Sequence, residues 1–285
     1  MAARKTTKPA TKAVAKKAAK KVAGSGAKKA ASKVAKKVAP IAKRVPAARK
    51  TTVEKASVKS ESSGQQANSI VTWLKRNATK ATRDGMVRYG IPADNAFGVP
   101  VGVMLKYAKS LGRHHDVAMA LWETGCYEAR MMASYLSEPE RMSPAQMDAW
   151  VNDFDSWAIC DTVCWHAFER SPYAWEKITK WSRMSGEIQK RTGVALLATM
   201  ALHIKTIDDE KFADMLSLVE RAAQDERNFV SKGANWALRA IGLRSERLRH
   251  DARELAAQLS ESENAWTRWV GKDALKKLEK PIRKQ

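Results

Sequence analysis

Hydrophobic residues recur at three- and four-residue steps over most of the chain. In the segment 69–89, Ile70, Leu74 and Met86 follow this spacing, which predicts an amphipathic helix. A glycine- and proline-rich loop comes next (GIPADNAFGVP, 90–100). No run of β-branched residues indicates a strand. After the loop, the same periodicity predicts helices near 101–111, 113–124, 126–137, 144–154, 156–169, 173–184, 187–204, 209–223, 229–242, 245–259 and 265–279.

The predicted helices form pairs joined by short loops. Pairs begin near positions 113, 144, 173, 209 and 245, about 29 to 36 residues apart. That repeat length, without a sharp consensus, favours an all-α solenoid of helical hairpins of the HEAT or armadillo kind. Such a solenoid offers a concave face that suits a duplex. An irregular helical bundle is the competing interpretation.

Charge divides the chain into a tail, residues 1–66, and a folded domain, residues 67–285. Residues 1–60 hold 19 lysines and arginines against one acid, a net charge of +18, whereas the remaining 225 residues carry only +4. The tail repeats Lys, Ala, Val and Thr and has no Leu or aromatic residue before position 60, so we expect it to be disordered in isolation. A polycation of this density binds phosphate backbones without reading sequence. A solubility segment or an organelle transit peptide is the alternative.

Several protein classes are disfavoured by what the sequence lacks. No apolar run is long enough to span a membrane, and an odd number of cysteines is typical of a cytosolic protein. No phosphate-binding loop, dinucleotide-binding glycine motif or zinc-protease motif is present. Cys160, Cys164 and His166 lack zinc-site spacing, so we interpret the cysteines as buried and structural and expect no metal or other cofactor.

Three segments hold candidate chemistry. In FDSWAICDTVCWHAF (154–168), Trp157 and Asp161 are four residues apart, so they lie one turn apart on one helix face. Lys190 and Arg191 form a basic pair opening an apolar helix (EIQKRTGVALLA, 187–198). The third segment is FVSKGANWALRAIG (229–242), with Lys232, Trp236 and Arg239. Each segment alone is more often core packing, capping or a salt bridge than a site.

Together, the three segments resemble the HEAT-like-repeat DNA alkylation repair glycosylases, the AlkD family. The shared pattern is W-x-x-x-D, then a basic pair opening a later helix, then F-x-x-K-x-x-x-W-x-L-R. The resemblance covers roughly residues 70–280 and not the tail. It departs at Ala158, where the family often has Asp, and at GAN before Trp236.

The resemblance implies a role for each matching residue. Trp157 and Trp236 match the two tryptophans of the family's catalytic cleft, and Asp161 matches its catalytic aspartate. Arg191 matches an arginine that contacts the DNA backbone near the lesion. Lys190, Lys232 and Arg239 are the further DNA-binding candidates.

Elementary chemistry is consistent with these roles. An N3- or N7-alkylated purine is cationic and leaves readily, while its departure builds positive charge on the deoxyribose. A carboxylate at Asp161 would stabilise that charge and orient water, and the indoles of Trp157 and Trp236 would attract the cation. We therefore expect a monofunctional alkylpurine glycosylase that acts as a monomer on double-stranded DNA in the cytoplasm, at the nucleoid.

Two other functions stay open. A non-catalytic architectural DNA-binding protein would share the basic tail, although backbone binding alone needs no acid in the groove. A protein-binding HEAT-type scaffold is less consistent with that tail. Which alkylated base is preferred, and whether bulky adducts are accepted, does not follow from the sequence.

Overall fold

A computed structural model describes residues 62–279, and every regular element in that part of the chain is a helix. The tail predicted at positions 1–66 therefore lies almost wholly outside the described residues. Two 3₁₀ turns, Val87–Tyr89 and Pro139–Arg141, and a π-helical turn, Cys164–Phe168, lie between α-helices. The α-helices are α1 Ser63–Arg76, α2 Lys80–Met86, α3 Val101–Leu111, α4 His115–Trp122, α5 Tyr127–Leu136, α6 Pro144–Asn152, α7 Trp157–Val163, α8 Ala174–Ser182, α9 Glu187–His203, α10 Asp209–Asp214, α11 Leu216–Ala223, α12 Asn228–Gly242, α13 Glu246–Ser260 and α14 Ala265–Leu278.

Side-chain caps fix where several helices begin. The Ser62 hydroxyl accepts a hydrogen bond from the backbone nitrogen of Gln65, and the Gln65 side-chain oxygen accepts one from the backbone nitrogen of Ser62. This capping box begins α1 earlier than the apolar pattern predicted. The Thr79 hydroxyl caps α2 by accepting from the backbone nitrogen of Thr82, which divides the single helix predicted over 69–89. The helix predicted over 209–223 is also divided, at Met215.

The helices stack as hairpins in two layers, which confirms the predicted all-α HEAT-like solenoid. One layer, here called the cleft layer, contains α3, α5, α7, α9, α12 and α14; the back layer contains α1, α4, α6, α8, α11 and α13. Aromatic side chains join the back layer, where Trp122 of α4 stacks on Trp150 of α6 with ring centroids 3.9 Å apart. The segment between α1 and α3 belongs to neither layer.

Two glycines allow the layers to approach closely. A Cβ atom added to Gly193 of α9 would lie only 2.5 Å from the backbone nitrogen of Ser182 in α8. A Cβ atom added to Gly271 of α14 would clash in the same way with the backbone nitrogen of Ser260 in α13. Tight packing leaves residues 191–201 of α9 buried on every side. This central helix is therefore the rigid support on which neighbouring side chains are placed.

Candidate active site

An open cleft of about 490 Å³ lies where the segment between α1 and α3 crosses the cleft layer. One wall comes from the 3₁₀ turn after α2, and the other from α7, α9 and α12. The lining combines aromatic and cationic side chains: Arg88, Tyr89, Gly90, Trp157, Arg191, Asn228, Phe229 and Lys232. Such a lining suits a ligand that carries both aromatic rings and phosphate groups.

Asp161 and Arg191 form a bidentate ion pair beside this cleft. The Nε atom of Arg191 lies 2.9 Å from Oδ1 of Asp161, and its Nη2 atom lies 2.7 Å from Oδ2. The Nη1 atom of Arg191 donates to the carbonyl oxygen of Phe229, 2.7 Å away. Arg191 thereby links α7, α9 and α12 and fixes the orientation of the carboxylate.

The two members of this pair differ in exposure. The Arg191 side chain is only 7% exposed, whereas that of Asp161 is 21% exposed. Burial raises the pKa of Asp161 above that of an ordinary aspartate, and the charge and hydrogen bonds of Arg191 oppose that rise. Burial also opposes the charge on Arg191, but Asp161 outweighs it and raises the arginine's pKa. The carboxylate is thus fixed in place beside the cleft, and part of the Asp161 side chain stays exposed.

Trp157 supports the opposite wall of the cleft. Its indole nitrogen donates to the carbonyl oxygen of Tyr89 over 2.8 Å, which holds the 3₁₀ turn against the first turn of α7. Gly90 ends that turn with a φ of 67° and packs so closely against Phe229 that an added Cβ would lie 3.2 Å from its ring. The Tyr89 side chain is left 68% exposed at the cleft.

A buried carboxylate anchors the loop that follows this wall. Glu128 of α5 is fully buried and accepts three backbone N–H groups, from Phe97 at 2.9 Å, Gly98 at 2.6 Å and Val99 at 3.2 Å. Gly98 in turn accepts a bond from the backbone nitrogen of Thr79, at the start of α2. The segment between α1 and α3 is therefore held at two points, at Tyr89 by Trp157 and at residues 97–99 by Glu128.

The remaining α12 candidates lie on one stripe of that helix. Lys232 is exposed and lines the cleft, Trp236 is half-buried one turn further on, and Arg239 is half-buried, with its Nε atom 3.3 Å from the carbonyl oxygen of Asn235. Within residues 62–279, neither Lys232 nor Arg239 has a carboxylate oxygen within 4.0 Å. Both cations are therefore available to a phosphate.

Lys190 lies away from the cleft, although it precedes Arg191. Its ammonium group is 2.9 Å from Asp225, and it borders a separate depression with Arg183 and Arg221. Hydrogen bonds from Arg227 and then Lys190 hold the pKa of Asp225 well below its usual range. Consecutive residues of a helix point about 100° apart, which explains why the basic pair separates.

No described group of side chains near the cleft is suited to a metal ion. The thiols of Cys160 and Cys164 pack against Thr192, with sulfur-to-oxygen distances of 3.3 Å and 3.8 Å, and burial raises the pKa of Cys164 far above its usual value. Elsewhere, ligand atoms of His250 and its neighbours on α13 lie within 4.8 Å of one another. That cluster is exposed and shares its depression with two arginines, which disfavours a cation.

Five cleft residues were not among the sequence candidates: Arg88, Tyr89, Gly90, Asn228 and Phe229. The first two lie on a three-residue turn, too short for any hydrophobic period to show. Asn228 and Phe229 open α12, and their side chains reach the cleft only because α9 and α12 cross there.

The helical hairpins and the aromatic, cationic cleft define a HEAT-like-repeat protein. A family model described as DNA alkylation repair enzyme matches residues 70–278, most of the chain, so the chain belongs to that family. A search of curated protein sequences returned no match. Within residues 62–279, no helix is both long and apolar enough to cross a membrane.

One solved structure that matches shares the fold. It is described as representing a new family of proteins related to the HEAT-like repeat DNA glycosylases, with affinity for branched DNA structures. The two chains align with a TM-score of 0.63 and 20% identity, over 72% of this chain and 92% of the other. At that identity the likeness concerns the fold alone.

Proposed function

We propose that this protein is a DNA glycosylase that hydrolyses the N-glycosidic bond of cationic N3- and N7-alkylated purines in double-stranded DNA. The observation that carries this proposal is the bidentate pair of Asp161 and Arg191 at an aromatic, cationic cleft. A carboxylate that is fixed before substrate arrives costs no reorganisation when positive charge develops beside it. The protein acts as a monomer on chromosomal DNA in the cytoplasm.

Each candidate residue in or beside the cleft has a distinct part in this mechanism. Asp161 stabilises the positive charge on the departing sugar and orients the attacking water. Trp157 and Trp236 present indole faces to the cationic nucleotide, an attraction of roughly 0.5–2 kcal/mol per contact. The plane of Trp157 is fixed by its bond to Tyr89, so this face is presented in one orientation.

Arg191 acts chiefly as a positioning residue. Three of its five N–H groups bond to Asp161 and Phe229, and the side chain is nearly buried. Contacts to the phosphate backbone fall mainly to exposed or half-buried cations of the cleft layer, Lys232 and Arg239, together with the cleft residue Arg88. Lys190 is engaged with Asp225 and has at most a peripheral part in DNA binding.

Base release from a duplex containing one N7-methylguanine tests the proposal. Because the leaving base is already cationic, no general acid is needed, and neutral lesions such as hypoxanthine or 1,N6-ethenoadenine should react very slowly. The measurement is a single-turnover comparison at saturating protein, with spontaneous depurination subtracted. Comparable rates on the neutral lesions would contradict the charge-driven mechanism.

A second candidate function is non-catalytic DNA binding. It is favoured by the engagement of both carboxylate oxygens of Asp161 with Arg191 and by the stated affinity of the structural neighbour for branched DNA. The same assay separates the two functions. Tight binding of the methylated duplex without release above the spontaneous rate would support this alternative and exclude the glycosylase.

A further inference from the structure

Helix α14 exposes two tryptophans that the proposed reaction does not use. Trp266 and Trp269 are each 39% exposed, whereas Trp122, Trp150 and Trp181 are fully buried. Within the described part of the chain, neither exposed indole stacks on an aromatic ring or lies beneath a cation. Two large, unpaired aromatic side chains on one helix indicate a surface that contacts something else.

The exposed side of α14 follows from its neighbours. Gly271 faces α13 so closely that no side chain fits there. The amide of Asn235 in α12 donates to the carbonyl oxygen of Val270 over 3.1 Å, so that side of α14 faces α12. Trp266 and Trp269, at i−5 and i−2 from Gly271, lie on the side turned away from α13.

The same side of α12 carries the cations described above. Helices α12 and α14 run parallel, since Asn235 bonds near Val270 and Gly242, two turns later, packs against Leu278. In α12 one side faces α9 and the opposite side faces α14, which leaves Lys232 on the exposed face. The two tryptophans therefore extend the face that holds the cleft by one helix.

Positive charge continues beyond the indoles. Lys272 and Lys276 follow Trp269 by three and seven residues, and both are exposed. In residues 62–279, neither lysine has a carboxylate oxygen within 4.0 Å, and the nearby Asp273 is half-buried. Trp266, Trp269, Lys272 and Lys276 together form what is here called the α14 strip.

Intact duplex DNA would use only half of this surface. Its phosphates suit the lysines, but its bases are stacked inside and offer the indoles no ring face. A strand with unpaired bases offers both phosphates and ring faces, which is how aromatic and basic side chains combine in single-strand recognition. We propose that the α14 strip binds an unpaired DNA strand next to the cleft, with bases stacking on Trp266 and Trp269. This binding goes beyond base excision and does not depend on it.

Binding of full-length protein to a blunt duplex and to the same duplex with a single-stranded tail tests the proposal. In fluorescence anisotropy, Trp266→Ala combined with Trp269→Ala should weaken binding of the tailed duplex by about tenfold per indole, since a stacked base contributes roughly 1–3 kcal/mol and 1.4 kcal/mol is tenfold in affinity. Blunt-duplex binding should change little. Tyr173→Ala, at an exposed aromatic beside back-layer helix α8, is the matched control and should change neither.

Salt dependence separates stacking from charge. The tryptophan variant should lose the same factor in affinity at every salt concentration. Lys272→Gln combined with Lys276→Gln should instead reduce the steepness of log affinity against log salt by about 1.4, because each phosphate contact to a single strand contributes about 0.7. Tryptophan-to-phenylalanine variants should retain part of the binding because a ring face remains.

Two results would overturn the proposal. One is equal affinity of the folded tryptophan variant and the wild-type protein for the tailed duplex. The other is a concentration-dependent dimer, seen by sedimentation, that the tryptophan variant abolishes, because the strip would then bind a second copy of the chain. Base release from a blunt methylated duplex is measured in parallel, so loss of either function is seen separately.

Discussion

Replacing Asp161 with Asn should reduce both base release and stability, and the structure accounts for the two effects separately. The substitution removes the negative charge and puts an NH₂ donor opposite the Arg191 guanidinium, which has only donors. One of the two hydrogen bonds, at 2.7 Å and 2.9 Å, is lost. A nearly buried arginine is then left without a counter-charge.

The stability loss can be worked from the exposure of the pair. Removing one partner of a fully buried ion pair costs about 3–5 kcal/mol. Here Arg191 keeps its bond to Phe229 and one bond to the new amide oxygen, and Asp161 was 21% exposed. We therefore expect a loss of about 2 kcal/mol, which in a domain of this size lowers Tm by about 4–8 °C.

The catalytic loss should be larger than the stability loss explains. A preorganised group facing developing charge contributes about 3–4 kcal/mol, so single-turnover release of N7-methylguanine should fall about 10²–10³-fold at a temperature where the variant is folded. Duplex affinity should fall little, because the exposed cations remain. Unchanged base release would refute the role of Asp161.

Two further variants separate the effects. Adding Arg191→Met to Asp161→Asn removes the unpaired buried charge and should recover part of the lost Tm but none of the activity. Asp148→Asn is the matched control, because Asp148 bonds the nearly buried Lys177 at 2.7 Å in the back layer; it should lower Tm and leave base release unchanged. If Asp161→Asn alone left Tm unchanged, the pairing with Arg191 would not stabilise the fold.

Four other predictions follow from the geometry and the charge distribution. Burial lowers the pKa of His166 from 6.5 to about 4, so burying the neutral ring costs no stability above pH 6.5. As the pH falls from 6.5 towards 4, the unfolded state takes up a proton that the folded state does not, and the free energy of unfolding should fall by about 2 kcal/mol. His166→Gln should remove this part of the pH dependence in urea titrations. Glu128→Gln should cost about 3 kcal/mol and speed hydrogen exchange of the three amides it holds, and unchanged protection of those amides would contradict its anchoring role. Lys232→Gln should reduce the salt slope of duplex binding by about one phosphate contact, whereas Lys190→Gln should lower stability and leave that slope unchanged; the reverse pattern would refute the assignment. Deleting residues 1–60, which carry a net charge of +18, should make the salt slope shallower while base release at saturation persists, and an unchanged slope would exclude a DNA-binding tail.

The helical architecture could be predicted because each helix buries one stripe, and a stripe leaves a period in the sequence. The predicted helix boundaries were wrong where a side-chain cap, and not the hydrophobic period, decides where a helix begins. Ser62 and Gln65 begin α1 before the apolar pattern starts, and Thr79 starts a new helix inside an apparently continuous one. Caps act through backbone N–H groups, so they interrupt helices without changing hydrophobicity.

Part of the candidate site could be predicted from the sequence for a similar reason. Trp157 and Asp161 share a face because four residues make about one helical turn, which is a local property. The pairing of Asp161 with Arg191 joins residues 30 positions apart, and only the packing of α7 against α9 brings them together. The exposed wall at Tyr89 depends on a bond from Trp157, 68 positions away, and no local pattern encodes it.

The ion pair at the cleft has consequences for both fold and chemistry. A carboxylate that is partly buried among apolar side chains tends to take up a proton, which would remove its use to a developing cation. Arg191 opposes that tendency, and its bidentate contact has the geometry of a guanidinium facing an ionised carboxylate. Because Arg191 is in turn fixed by the carbonyl oxygen of Phe229 at the start of α12, the charge of Asp161 depends on the packing of three helices. A substitution that shifts α12 against α9, for example a side chain at Gly233, where an added Cβ would lie 2.7 Å from Val194, should therefore affect the carboxylate without contacting DNA.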